Sequence, residues 1–348
     1  MKIGEFDLDK DVLVIAEIGN NHEGDFALAQ EMIGKAAETG AGAVKFQTII
    51  PEKLVSPTDQ ERIKQLRRFQ FSFSQFERLS EVAREENITF LSTPFDTESA
   101  RFLDSIVPAF KIASGDNTFY PLLDVVAQTG KPILLSGGLC SLEELRRTRD
   151  FIYQAWERCR RHGELALLHC VVSYPTPREE ANLLAIQELK TLDVTVGYSD
   201  HTLGIDAPVL AVALGARIIE KHFTLDKNYS EFRDHKLAAD PAELAELVKR
   251  VKEVLELLGE GVKDVRKCEI DAVAQVRRSI VAAKDIAPGT VLGMEHVSWV
   301  RPAGGLPPGR EAEILGKSPR RSLKAGERIL PEYLREAEGS ASPCQVRD

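Results

Sequence analysis

Cysteine is sparse and scattered. There are five, Cys140, Cys159, Cys170, Cys268 and Cys344, an odd number with no C-x-x-C pair. That pattern excludes a disulfide scaffold and a thiolate zinc site, and it fits free thiols in a reducing compartment. Basic charge is also in short supply: 45 Lys and Arg stand against 54 Asp and Glu, for a net charge of -9. A nucleic-acid or anionic-membrane partner needs a basic face, so neither is expected. A small anionic substrate stays open, because a few local lysines can outweigh a global charge. No stretch has the uncharged apolar length that spans a bilayer. The first seven residues carry charges where a signal peptide needs an apolar core, so a cytoplasmic protein is expected.

What is present is ordinary for a globular enzyme: 348 residues, 43% hydrophobic and 28% charged. The length exceeds one average domain and suits a barrel followed by a small module. Apolar runs rich in Val, Ile, Leu and Phe occur at 12–19, 43–48, 88–95, 109–114, 132–138, 165–171, 194–200 and 217–223. Their near-continuous hydrophobicity is that of strands buried on both faces. Amphipathic stretches lie between them, among them 26–40, 74–87, 141–159 and 206–215, several closing on Gly or Asn. A last helix over 241–259 opens with Asp240-Pro241, an N-cap followed by a proline at the first helical position. Eight such units predict an α/β fold of the (β/α)8 TIM-barrel type over 1–260. An open doubly wound sheet is the alternative, and the even spacing favours closure.

The pattern then changes. Residues 261–276 read as a linker, and 277–335 as a compact β-rich module with a Pro/Gly-rich stretch at 301–309. Within the module, Lys284-Asp285-Ile286-Ala287-Pro288-Gly289 and Leu323-Lys324-Ala325-Gly326-Glu327 form a weak internal repeat. Residues 336–348 read as a polar, flexible tail.

Ionisable and hydroxyl residues collect at the carboxyl ends of the strand runs. In order these are Glu17, Asn20 and His22; Lys45 and Gln47; Thr93; Lys111 and Ser114; Ser136; His169 and Tyr174; Ser199, Asp200 and His201; and Glu220 and His222. Buried lysines and carboxylates are costly unless paired or used, and the carboxyl end is where barrels keep their chemistry. Lys45 and Lys111, with Thr93, Ser114, Ser136 and Ser199, can surround an oxyanion carrying phosphate and carboxylate. The plain alternative for either lysine is a snorkelling strand-end side chain. His201 and His222 end neighbouring strand runs and suit a divalent ion held with water and a substrate oxygen. Two hydrogen-bonded turn histidines are the alternative. Glu17 and Glu220 are acid/base candidates, and a structural ion pair is the rival role for Glu220.

In this order the strand ends resemble the N-acetylneuraminate (sialic acid) synthase family. The matching pieces are Ala16-Glu17-Ile18-Gly19-Asn20-Asn21-His22, Lys45-Phe46-Gln47-Thr48, Ser92-Thr93-Pro94-Phe95, Lys111-Ile112-Ala113-Ser114-Gly115, Tyr174-Pro175-Thr176-Pro177, Gly197-Tyr198-Ser199-Asp200-His201-Thr202 and Glu220-Lys221-His222-Phe223-Thr224. The second module, with Arg277-Arg278-Ser279 and Trp299-Val300-Arg301-Pro302, resembles that family's antifreeze-like (SAF, β-clip) domain.

The resemblance implies an enzyme that condenses phosphoenolpyruvate with an N-acylated hexosamine such as N-acetylmannosamine, giving a nonulosonic acid and phosphate. It implies a divalent metal on His201 and His222, Mn²⁺ foremost, with Mg²⁺, Co²⁺, Fe²⁺ or Zn²⁺ as alternatives. Lys45, Thr93, Lys111, Ser114, Ser136 and Ser199 would hold phosphoenolpyruvate, with Glu17 and Glu220 as acid/base groups. Gln47, Tyr174 and Asp234 match sugar-contacting positions, and Arg301 would reach the partner's barrel in a homodimer with exchanged SAF domains.

The chain departs from the pattern at Gly137 and Val172, in a short segment after the second strand, and above all in Tyr229-Ser230-Glu231-Phe232-Arg233-Asp234. There the family shows a Gly-Pro-Asp-type loop. These changes fall on the sugar side, so the acceptor is the open variable. A metal-dependent aldolase or an aldose-phosphate synthase using phosphoenolpyruvate is the rival enzyme, and a carbohydrate- or ice-binding protein is the rival outside catalysis. The second module opposes the first rival; the intact lysines, Glu17 and both histidines oppose the second.

Overall fold

The eight apolar runs each form a strand, and all eight join one parallel sheet. The computed structural model describes residues 1–337, Arg233 by its backbone alone. The strands are β1 (Leu13–Gly19), β2 (Ala43–Thr48), β3 (Thr89–Pro94), β4 (Phe110–Ile112), β5 (Ile133–Ser136), β6 (Leu165–Cys170), β7 (Thr195–Asp200) and β8 (Ile218–His222). The order around the sheet is β3-β2-β1-β8-β7-β6-β5-β4, so the first and last strands pair and the sheet curls into a barrel. At the seam, β3 and β4 lie side by side without a hydrogen-bonded ladder. A helix follows each strand: α1 (Phe26–Glu38), α2 (Phe73–Glu85), α3 (Thr97–Leu103), α4 (Tyr120–Thr129), α5 (Leu142–Cys159), α6 (Ala185–Lys190), α7 (Asp206–Ala213) and α8 (Pro241–Leu258). Their starts are chemically marked. Ser72, Ser141 and Asp240 each cap a helix through a box with Gln75, Glu144 and Glu243.

Side chains alternate across a strand, so each strand sends one set inward and one outward. Outward residues such as Val14, Val44, Phe90, Ile112, Leu135, Leu167 and Ile219 pack beneath the helices in one large core. Inward residues form a second, separate core: Leu13, Ile15, Ala43, Leu91, Ala109, Leu134, Ala166, Leu168 and Ile218. A short hairpin of Lys2–Ile3 against Phe6–Asp7 adds Ile3 and Leu8 to this inner core and plugs the amino end of the barrel. The inward set is thus apolar low in the barrel and turns polar one step higher, where Glu17, Lys45, Thr93, Lys111, Ser136, Ser199 and Glu220 stand.

The second compact unit begins at Glu260. The stretch expected as a linker carries a 3-10 turn, Lys267–Glu269, and a short helix, Ile270–Val276, neither with a buried residue. Two small antiparallel sheets follow, Ser279–Ala282 with Val297–Val300 and Lys317–Pro319 with Leu334–Glu336, around Ile280, Ile286, Leu292, Ile314, Leu323 and Ile329. The two repeated turns meet. Ile286 bridges Leu323, and Asp285 accepts from Lys324 Nζ at 2.7 Å and from Ala325 N at 2.9 Å. Ordered structure reaches past the expected start of the tail, because Glu336 pairs with Lys317 in a strand. The tail beyond Ala337 lies outside the described residues.

One charged pair belongs to the scaffold and not to the cavity. Asp200 and Lys221 are register partners on β7 and β8 and face outward, with Oδ2 and Nζ 2.7 Å apart and both side chains fully buried. Tyr198 Oη also donates to Asp200, at 2.9 Å. Removing one member strands the other charge in the core. Lys221→Met is therefore expected to lower stability by about 3–5 kcal/mol, read by urea denaturation against the parent chain.

Candidate active site

The polar upper layer of the barrel opens into a cavity of about 920 Å³. Every residue assigned to the site from the barrel sequence lines it: Glu17, Lys45, Gln47, Thr93, Lys111, Ser114, Ser136, Tyr174, Ser199, His201, Glu220, His222 and Asp234. Arg301 belongs to the second unit, where it is exposed just after the strand Val297–Val300.

Strand register explains the floor. Glu17 on β1 is the direct partner of Lys45 on β2, and Lys45 Nζ lies 2.7 Å from Glu17 Oε2. Ser199 on β7 is the partner of Glu220 on β8, and its hydroxyl donates to Glu220 Oε1 at 2.7 Å. Glu220 sits between the two ammonium groups, 3.5 Å from Lys111 and 3.7 Å from Lys45. Lys45 also donates to Thr93 Oγ1 at 2.9 Å, and Lys111 to Ser136 Oγ at 2.8 Å. Ser114 Oγ accepts from the Gly138 amide at 3.1 Å. Gln47 Nε2 donates to Glu17 Oε1 at 3.1 Å, and Asn20 Nδ2 donates to Gln47 Oε1 at 2.9 Å. Gly19 makes room for that chain: its φ is +54°, and a Cβ there would come within 3.1 Å of Glu17 Oε1 and 3.3 Å of Gln47 Nε2.

All four charged groups are buried, which is costly unless they are paired. Burial pushes the Glu17 carboxyl above the usual carboxylate range; Lys45 opposes that rise and the charge on Glu220 reinforces it. Burial acts on Glu220 too, but Lys111 and Lys45 together outweigh it and hold that carboxyl low. Burial also lowers the Lys111 ammonium, whereas for Lys45 the two carboxylates overcome burial and raise it. The two glutamates therefore differ in environment: both lysines favour the charged form of Glu220, whereas burial disfavours that of Glu17.

The histidines stand beside this floor. Their ring centroids are 5.5 Å apart, and Tyr174 packs against His201 at 4.1 Å and His222 at 6.1 Å. Burial lowers the pKa of both rings, which keeps them neutral and able to act as ligands. His201 Nδ1 meets the Val171 carbonyl at 2.8 Å, which assigns the ring proton to Nδ1 and leaves the Nε2 lone pair for the cavity. His222 Nδ1 is enclosed and has no hydrogen-bond partner among the described residues, so Nε2 is its outward-facing nitrogen. Among the described residues no set of three or more His, Cys, Asp or Glu gathers as a protein cage. The donor set fits an ion that keeps open positions for water and substrate oxygen.

Alternation also sorts the remaining strand-end residues. His169 on β6 points away from the cavity: its Nε2 meets the Ala181 carbonyl at 2.9 Å and its ring stacks on Tyr198. Its neighbour Cys170 is the inward residue and lines the cavity, which counting in steps of two from Leu168 would have found. His22 orders the first loop, with Nδ1 accepting from the Gly24 amide at 3.0 Å and the ring stacked on Phe71 at 4.2 Å. The outer wall includes Phe69, which continues the buried Ile63–Leu66 spacing of the short helix Gln60–Arg67, and Phe232, from a loop with no periodic signal. Val172 also lines the cavity, where the sequence pattern led one to expect a small polar group.

Comparison with known proteins follows the same lines. Residues 32–263 match the NeuB family and residues 277–335 match the SAF domain. An uncharacterized protein of Methanocaldococcus jannaschii is 44% identical over 88% of this chain and 90% of its own length. The N,N'-diacetyllegionaminic acid synthase of Campylobacter jejuni is 38% identical over 92% of this chain and 99% of its own. Among solved structures, the N-acetylneuraminic acid (sialic acid) synthetase of Leptospira borgpetersenii superposes with a TM-score of 0.72 at 37% identity, covering 78% of this chain and 93% of that one. The chain belongs to the NeuB family and is an enzyme of it, a TIM-type barrel followed by a SAF domain.

Proposed function

We propose that the barrel condenses phosphoenolpyruvate with the open-chain aldehyde of an N-acylated hexosamine, adding water and releasing phosphate to give a nonulosonic acid. The observation that carries this reading is the floor itself, where two ammonium groups, two carboxylates and four small hydroxyls face one cavity. A substrate bearing both carboxylate and phosphate is what two fixed lysines can neutralise, with Thr93, Ser114, Ser136 and Ser199 as directed hydrogen-bond partners.

The floor is neutral on its own, because the two glutamates cancel the two lysines. An anionic substrate then needs a further cation or a protonated carboxylate. His201 and His222 would hold the cation, so that Glu17 can stay ionised when the anion binds and, with its raised pKa, serve as the base. Bound there, a divalent ion supplies Lewis-acid polarisation of the aldehyde oxygen. The chain's own residues do the rest. Lys45 and Lys111 hold the enol phosphate so that its C3 faces the aldehyde carbon. Gln47, Tyr174 and Asp234 orient the sugar. Glu17, fixed by Lys45 and Gln47, takes the proton from the water that adds at C2. The bond from C3 to the aldehyde carbon turns the aldehyde oxygen into an alkoxide, which takes the proton held by Glu17; the C2–O bond to phosphate then breaks, the C2 hydroxyl proton leaving with the phosphate, and the 2-keto acid remains.

The direct test is phosphate release from phosphoenolpyruvate with Mn²⁺, using N-acetylmannosamine, its 6-phosphate, 2,4-diacetamido-2,4,6-trideoxy hexoses and plain aldoses as acceptors. Release that needs an N-acylated acceptor and stops with EDTA is the expected result. Release with plain aldoses alone would overturn the reading.

The metal assignment has a readout separate from turnover. His201→Ala and His222→Ala are each expected to abolish tight Mn²⁺ binding in calorimetry while leaving the circular dichroism spectrum unchanged. Undiminished binding in both variants would remove the two-histidine site.

We further propose a homodimer whose SAF domains are exchanged, so that Arg301 serves the partner's barrel. Mixing Arg301→Ala with His201→Ala chains should then rebuild one working site in each mixed dimer, about a quarter of parental activity when subunits exchange freely. No recovered activity despite proven exchange would refute it.

A further inference from the structure

Three loops meet on the outer wall of the cavity, and one carboxylate joins them. Glu23 follows β1, Arg68 and Phe69 follow β2, and Ser230, Phe232 and His235 follow β8. Ser230 Oγ donates to Glu23 Oε1, and His235 Nε2 lies 3.3 Å from the same oxygen. The Phe232 amide donates to Ser230 Oγ at 3.0 Å, and His235 Nδ1 meets Thr224 Oγ1 at 2.7 Å. Arg68, next to Phe69, faces Glu23 at 3.9 Å. The first two loops also touch through backbone: a Cβ on Gly24 would fall 1.9 Å from the Arg68 carbonyl oxygen, at a φ of +86°. No other residue fits there, so the approach is fixed by covalent geometry.

This framework holds Phe69 and Phe232 against each other, ring centroids 5.2 Å apart and planes tilted by 45°, with both rings lining the cavity. Asp234, two residues beyond Phe232, lines the same cavity. Leu54 and Leu66 extend the apolar wall. Such a surface gains free energy from a methyl group and nothing from a hydroxyl, which would lose water there without a partner.

We propose that the Phe69–Phe232 pair is a preformed apolar subsite that selects acceptors presenting a methyl group to it. The inference rests on the condensation reading and names the acceptor class within it. Two parts of an acylated amino sugar can supply that methyl, the N-acyl group or a deoxygenated chain end.

The experiment uses two acceptor pairs on the full-length chain with Mn²⁺. One pair is N-acetyl against N-formyl, the other 6-deoxy against 6-hydroxy. Both kcat/KM and calorimetric binding are read, because binding does not require turnover. The parent chain should prefer the methyl-bearing member of one pair by about 10- to 100-fold. The pair affected identifies the source of the methyl. Phe232→Ser should bring that same preference close to unity while leaving the KM for phosphoenolpyruvate unchanged. Phe232→Leu should keep it, which separates lost apolarity from a damaged loop. Binding preference without phosphate release would sustain the subsite and sink the reaction. No methyl preference in the parent chain, or an undiminished one in Phe232→Ser, would overturn the subsite.

Discussion

Two lysine ammonium groups sit inside a barrel with almost no exposure, and each must find negative charge there or lose it. That constraint organises the active end of the molecule. Glu17 and Glu220 meet it, and the parallel ladder puts them in reach, since β1 neighbours β2 and β8. The neutral sum has a consequence for chemistry. The formal charges of the floor sum to zero, and its lysines face the cavity; in the proposed reaction they would trade a carboxylate partner for an anionic substrate.

The barrel separates these demands by depth. Low in the interior, Leu13, Ile15, Leu134 and Ile218 form a dry core closed by the amino-terminal hairpin. One residue pair higher, the inward positions become charged or hydroxylated on every strand but β6, which presents Cys170. Rigid strands therefore fix the charged floor, while the surrounding loops supply the outer wall of the cavity.

How much of this is legible in the sequence depends on whether a residue obeys a period. The eight strands are, because hydrophobicity on both faces leaves an unbroken apolar run. The floor is, because polar residues at strand ends contradict that run. Which of two adjacent polar residues faces inward is decided by alternation, and this is where position alone misleads. His169 and Asp200 look equivalent to His201 and Ser199 at strand ends, yet they point outward, toward Ala181 and Lys221. Cys170 faces in but reads as core. The wall is the least legible part. Glu23 and Phe232 come from non-periodic loops and Phe69 from the end of the short helix Gln60–Arg67, and only tertiary closure brings the three together. The module after residue 276 announced its β content and its paired turns, while the helix at Ile270–Val276 is too short to leave a pattern.

The account stands or falls on the floor as an anion site. The measurement that reaches it most directly is calorimetric titration of phosphoenolpyruvate, with Mn²⁺ present, into the parent chain and into Lys45→Met and Lys111→Met. Each variant removes one of the two charges held for the substrate and should bind at least about thirtyfold more weakly while remaining folded. If both folded variants bind phosphoenolpyruvate as tightly as the parent chain, the lysine–carboxylate floor is a structural ion-pair network and the substrate lies elsewhere.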